Sequence, residues 1–450
     1  MLSPLASAVR AGLRRPLTVV AVLAVLAAGA WASSQPALQL AAICSGGGYG
    51  GGGPGGYGAP TGTCGPYIPL TPVRVLDTRN GTGGVFGPVG PGQSVSIGIA
   101  GTAGVPSTGA SAVVLNVTVT EPTAPSYLTV YPEGQPVPFV SNLNFVGGET
   151  VANLVQVPLG SGGGVSFYNS AGDVQVVADL EGYVSTSADG SAGLYTPVTP
   201  FRALDTRIGL GGQYGAVAPG QTIKVQVAGL GSVPASGVGA VVFNLTATEP
   251  AGPSYITAYP DSQPRPLASN LNFVAGETVA NRVVIPVVDG YVDLYNDFTG
   301  ASVQLVMDIN GYYTSSTASS ASGSDYNSQT PQRIVDTRAG SGYLDAGQTL
   351  GPGQTLTVTV AGLGGVPSMT SSAPPTAVAV NVTVVDGTAP SFLTVWPTSV
   401  SRPTASDVNW VAGQTQPNLV VVGLSPTGQV SFYNDAGNVD LVIDVEGWYS

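Results

Sequence analysis

The sequence predicts an all-β protein of three tandem antiparallel β-sandwich or barrel-like modules joined by short flexible linkers. Three observations predict it: one module is written three times, its apolar residues alternate with a period of two, and turn residues interrupt it throughout. The stretch "VRVLDTR" at 73–79 returns as "FRALDTR" at 201–207 and as "QRIVDTR" at 332–338. After each come, in the same order, "PGQ", an N-x-T triplet, "PSYLTVYP" or a relative, "SNLNFVGGET" or a relative, and a closing "VADLEGY", "VMDINGY" or "VIDVEGW". The period of roughly 130 residues is too long for a solenoid turn or a propeller blade, so each copy reads as a whole domain.

The copies span 67–186, 195–314 and 326–450. Between them lie "STSADGSAGL" and "TSSTASSASGSD", compositions that behave as flexible coil and predict beads on a short string. Within a copy, Val113, Leu115, Val117 and Val119 alternate with Asn116, Thr118 and Thr120, and no helical stripe of useful length occurs. Seven to nine short strands per copy are expected. A module of this size buries about two-thirds of its unfolded surface, enough to fold alone.

Composition narrows the setting. There are 64 glycines and 37 prolines, yet 43% of residues are hydrophobic, which excludes simple disorder. Residues 1–32 read as a signal peptide, with Arg10, Arg14 and Arg15 ahead of an apolar run and Ala30-Trp31-Ala32 before the cut at Ser33. The expectation is a secreted, extracellular or surface-associated protein with no membrane contact after cleavage. A formal net charge of −12 disfavours nucleic acid as a partner. Residues 33–66 are low-complexity Gly/Tyr sequence holding both cysteines, Cys44 and Cys64. An exported chain predicts a disulfide there, within one molecule or between two.

The opening R-x-[LV]-D-T-R and closing D-x-x-G-[YW] signatures resemble a β-rich module repeated in secreted and surface proteins of actinobacteria and related bacteria. The similarity covers all three copies. It implies an exported location, alone or beside exported hydrolases, and no defined chemistry.

The chain contains no histidine, which removes Ser-His-Asp and Cys-His catalysis and histidine-ligated metals. No cofactor or metal site is expected. A remote glycoside-hydrolase reading rests on two recurring acidic positions, Asp179/Asp308/Asp444 and Glu121/Glu249/Asp386. The opening motif concentrates charge in a chain with only 8% charged residues. In a regular strand Arg74 and Asp77 point to opposite faces. Asp77 is therefore expected to accept N–H bonds of the following turn, leaving Arg74 to reach Asp179 at the far end of its module. The same logic joins Arg202 to Asp308 and Arg333 to Asp444, with Asp205, Asp336, Arg79, Arg207 and Arg338 completing a structural clasp.

Aromatic residues supply a binding hypothesis. Tyr127/Tyr131, Tyr255/Tyr259 and Phe392/Trp396 stand four residues apart on a predicted strand, roughly 13 Å, a spacing that suits stacking on a glycan. The alternative is that they fill the module core. Asparagines such as Asn142, Asn153 and Asn169 recur in every copy, and their expected role is turn and bulge hydrogen bonding. The sequence thus predicts a non-enzymatic surface or extracellular structural or adhesive protein. The alternative is a multivalent binder of polysaccharide or cell-wall glycan. Other surface proteins are further candidate partners.

Overall fold

The computed structural model describes residues 64–187, 192–318, 322–343 and 345–450. The leader at 1–32, nearly all of the Gly/Tyr-rich segment and Cys44 lie outside the described residues, and with Cys44 the expected disulfide. Among the described residues all regular structure is β.

A two-residue lead-in, β1 (Cys64–Gly65), precedes the first copy. That copy then runs through β2 (Tyr67–Asp77), β3 (Gln93–Gly98), β4 (Ala110–Thr120), β5 (Ser126–Pro132), β6 (Leu143–Phe145), β7 (Val151–Pro158), β8 (Gly164–Asn169) and β9 (Gln175–Ser185). Strands β2-β9-β4-β7 form one antiparallel sheet and β3-β8-β5-β6 another. The second copy repeats both sheets from Tyr195–Asp205 to Gln304–Thr314, and the third from Tyr326–Asp336 to Asp440–Tyr449. Edge position explains how β2 tolerates Pro69 and Pro72, whose nitrogens cannot donate to a ladder. Each copy keeps its own apolar core, to which β4 gives Val113, Leu115, Val117 and Val119, β5 gives Leu128 and Val130, and β8 gives Phe167.

Three beads on flexible joints are not what forms. The described residues make one compact unit. The physical reason lies on the second face of the β2-β9-β4-β7 sheet, where the residues between the core positions are also buried. Ala112, Val114, Leu154 and Val184 there join Ala240, Val242 and Val284 of the second copy and Ala377, Ala379, Leu419 and Val421 of the third in a fourth, shared core. Eight consecutive buried residues in β7 reflect this two-sided burial.

Five buried tyrosines complete the shared core. Tyr67 packs on Tyr313 at 4.6 Å between ring centres and Tyr195 on Tyr449 at 4.4 Å, so the opening tyrosines of the first and second copies each meet the closing strand of the next. Tyr313 and Tyr449 share a hydroxyl hydrogen bond of 2.7 Å.

The segments leading into each copy follow the same circular order. Tyr67 N donates to Gly193 O, Tyr195 pairs with Ser324, and β1 pairs with Tyr326 and Asn327. The last of these joins the start of the described chain to the third copy and closes a ring. Gly65 is required at that join, because a Cβ would fall 1.7 Å from the Ser185 carbonyl oxygen.

A shared core of this kind couples the copies thermodynamically. Calorimetry of the full chain is expected to show one unfolding transition, and separable transitions for individual copies would refute the coupling.

Candidate functional site

The opening motif is built by a strand irregularity. Pairing between β2 and β9 shifts register between Arg74 and Leu76, and the shift recurs in both other copies. It brings Arg74 and Asp77 to the same side, 3.4 Å apart, where a regular strand would oppose them. Arg74 forms a two-pronged pair with Asp179, Nε to Oδ1 at 2.8 Å and Nη2 to Oδ2 at 3.0 Å. Arg202 holds Asp308 at 2.9 and 3.1 Å, and Arg333 holds Asp444 at 2.8 and 3.1 Å.

Asp77 takes a second two-pronged pair from Arg79, at 2.8 and 2.7 Å, as well as the Arg79 backbone N–H. Arg207 treats Asp205, and Arg338 treats Asp336, in the same way. The Arg79 guanidinium holds the Asp77 carboxyl below its usual range, and Arg207 does the same to Asp205. Burial pushes the Asp179 carboxyl up, against the pull of Arg74.

The recurring acids Glu121, Glu249 and Asp386 do not join these pairs as hydrogen-bond partners. They lie exposed where their strands end, all three with φ between 52° and 54°.

Asp179 also reaches the next copy, accepting the Ser269 N–H at 3.4 Å, and Asp308 accepts that of Ser406 at 3.2 Å. Around these contacts the asparagines expected in turns do something else. Asn153, Asn281 and Asn418 are buried and bridge copies. Their Oδ1 atoms accept the backbone N–H groups of Leu419, Leu154 and Arg282, each in another copy. Their amide nitrogens donate within their own copy, to the carbonyls of Asn142, Asn270 and Asp407. The same nitrogens also donate across to Oδ1 of Asn381, Asn116 and Asn244. Those three, the asparagines of the N-x-T triplets, donate in turn to Ser141, Ser269 and Ser406 carbonyls. Only the Asn169 set keeps a turn role, binding the carbonyls of Val89 and Gly172.

The three boundaries share this frame but not their charge. At the first, the buried Glu181 carboxylate accepts Asn270 Nδ2 at 2.6 Å; at the third, Glu446 accepts Asn142 Nδ2 at 2.7 Å. At the middle one Asn310 stands where the others have a glutamate, and Asp407 where they have asparagine. Arg282, fully buried, replaces the leucine found at 154 and 419 and binds Asp407 at 2.7 Å, Asn310 and the Leu419 carbonyl. Sequence reasoning missed Arg282. Its signal was an arginine aligned with leucines in a chain poor in cations. Burial pushes Glu446 up from its ordinary 4.5 to about 8, and raises Glu181 in the same direction.

Of the aromatic pairs, the second ring of each is buried. Tyr131, Tyr259 and Trp396 are 5–7% exposed, and Tyr131 donates to Ser94 while Trp396 donates to Val400 O. The two-ring surface platform therefore does not form, because these second rings are packed against their own copies, Tyr131 reaching Ser94 of β3. The first rings remain accessible, Tyr127 on the surface and Tyr255 and Phe392 half-buried.

Tyr255 and Phe392 instead line clefts between copies. The cleft between the first and second copies, about 320 Å³, has Arg74, Arg79, Thr118, Thr120 and Thr150 on one wall and Tyr255, Leu267, Ser269 and Asn272 on the other. The cleft between the second and third, about 340 Å³, sets Arg202, Arg207, Thr246, Thr248 and Thr278 against Phe392, Arg402, Thr404 and Asn409.

The fold and site together define an all-β protein of three repeats closed into one unit, with clefts at the repeat boundaries. No family model and no curated protein matches the chain. Solved structures align only weakly. A triple jelly roll of an archaeal virus turret assembly gives 11% identity over 85% of this chain and 90% of that one, at a TM-score of 0.18. The atomic structure of Sulfolobus turreted icosahedral virus gives 11% identity over 86% and 91%, also at 0.18. The CBM22-1–CBM22-2 tandem domain of Paenibacillus barcinonensis Xyn10C gives 12% over 54% and 98%, at 0.16. At such TM-scores the alignments carry no argument.

Two measurements test the boundary chemistry. Arg282→Leu leaves Asp407 buried without its cation and is expected to cost about 3–5 kcal/mol in denaturant unfolding. The triple change Arg282→Leu, Asn310→Glu, Asp407→Asn rebuilds the pattern of the other two boundaries and should recover most of that loss. Equal damage from both variants would contradict the compensation.

The second measurement is stability against pH. The native Glu446 carboxyl keeps a proton that the unfolded chain releases above 4.5, so its contribution is complete below that pH and is lost as pH rises toward about 8. Stability should fall across that window by up to about 1.4 kcal/mol per pH unit per carboxyl, and Glu446→Gln should flatten the slope.

Proposed function

We propose that this chain is a secreted, non-enzymatic structural or adhesive protein of the cell surface or surroundings, assembled from three sandwich-like units locked into one ring. One observation carries the reading: the charged constellation repeated in every copy is spent on holding the molecule together. Arg74, Asp77, Arg79 and Asp179 satisfy one another in two-pronged pairs, and the second and third copies repeat them. The Arg–Asp clasp ties the first strand of each copy to its last. Breaking one member strands a buried charge.

The basic leader and A-x-A site support export, and the resemblance of the flanking motifs to modules of secreted bacterial proteins points the same way. A second reading, multivalent binding of polysaccharide, is favoured by the clefts at the copy boundaries, where an aromatic ring faces arginines and hydroxyls.

Fractionation of the producing cells tests the first reading. The protein is expected in medium or surface fractions with a mature N-terminus at Ser33. Retention in the cytoplasm with Met1 or the leader intact would sink it.

A further inference from the structure

Threonine hydroxyls and guanidinium nitrogens are left over at the copy boundaries after the fold has used what it needs. Thr118, which lines the cleft between the first and second copies, is 5% exposed, and its buried hydroxyl has no hydrogen-bond partner; the matching Thr383 hydroxyl at the third boundary is in the same state. Asn409 Oδ1 is likewise buried, unpartnered and part of the cleft between the second and third. Each exposed arginine of the motif spends Nε and Nη2 on its aspartate. Nη1 of Arg79 and of Arg207 has no hydrogen-bond partner among the described residues. Beside them the hydroxyls of Thr120 and Thr150 meet at 3.0 Å, as do those of Thr248 and Thr278.

Charge decides what such a cleft accepts. Each motif arginine on its wall is already matched by a carboxylate, as Arg74 is by Asp179 and Arg79 by Asp77, and Glu121 adds a further negative charge near Arg79. A phosphate or uronate would find no uncompensated cation in the first cleft; in the second, Arg402 has no carboxylate partner but is held over the Tyr433 ring at 3.5 Å. A neutral ligand rich in hydroxyls finds donors, acceptors and an aromatic face. Volumes of about 320–340 Å³ sit at the small end of the usual range for ligand sites, about 300–1,000 Å³.

We infer that the two clefts, between copies one and two and between copies two and three, are binding sites for neutral polysaccharide. A sugar ring rests on Tyr255 or Phe392, and its hydroxyls are bound by the Thr120/Thr150 or Thr248/Thr278 pair and by Arg79 or Arg207. The inference rests on the polysaccharide-binding reading above, but not on the cellular location. The third boundary is excluded: Val385 takes the place of Thr120 and interrupts the hydroxyl set. Two sites per chain follow, and Tyr127 serves neither.

Affinity electrophoresis of the full chain through gels containing xylan, mixed-linkage β-glucan, galactomannan or polygalacturonate tests this directly. Retardation is expected in at least one neutral gel. It should weaken in Tyr255→Ala and in Phe392→Ala, vanish in the double variant, and persist in Tyr127→Ala. Thr120→Val, which removes a hydroxyl of the cleft wall at nearly constant volume, should weaken binding without lowering the melting temperature, and it carries the test if an aromatic variant misfolds. Absence of retardation in every neutral gel, retardation by polygalacturonate alone, or a double variant that still binds would each overturn the inference. None of these outcomes bears on secretion, which fractionation decides separately.

Discussion

Everything in this molecule depends on three buried side-chain amides that no single copy can satisfy. Asn153, Asn281 and Asn418 each need a backbone N–H and an asparagine oxygen from elsewhere in the ring. An unpaired amide in such an interior costs about 1–3 kcal/mol, and removing one copy would strand groups in both others. Contacts of this kind are head-to-tail, so they end only if the rotation closes. Here it closes after three steps, with β1 returning to the third copy. The tyrosine-rich shared core supplies the apolar burial; the amides supply its geometry.

The clefts are a by-product of that closure. Because each copy leans its Arg-bearing edge against the outer strands of the next, the motif arginines cannot be simply buried or simply solvated. Arg74 is 15% exposed and Arg79 43%, a split set by which guanidinium lies deeper at the boundary. The same leaning places Tyr255 and Phe392, which belong to one copy, opposite threonines that belong to another. The cleft chemistry therefore exists only in the assembled ring.

Much of the architecture was legible because repetition and period-two alternation are local signals. The strand content, the copy boundaries and the long-range meeting of Arg74 with Asp179 could all be reasoned from spacing. What stayed hidden was the use of the second sheet face. Ala112 and Val114 were ordinary apolar residues beside the alternating set, and Asn116 and Thr118 read only as the polar half of the alternation. Periodicity says that two faces exist, but not that the polar one meets a neighbour. For the aromatics, alternation put Tyr127 and Tyr131 on one face correctly. It carried no information on the outer strand and loop contacts that bury Tyr131 and leave Tyr127 open.

The relocated charge at the middle boundary has a consequence for how the chain recognises itself. In a ring of three identical contacts, any copy would fit any other, and neighbouring molecules would be free to exchange parts. Arg282 and Asp407 remove that freedom. If the second copy were seated against the first copy's receiving face, Arg282 would meet Asn142 in place of the aspartate. If the third copy's receiving face were offered to the first, Asp407 would confront Glu181. Two buried acids or one uncompensated buried cation make those pairings costly. The three boundaries thus work as unlike keys on one ring, and the chain carries the order of its own assembly in a handful of buried polar atoms.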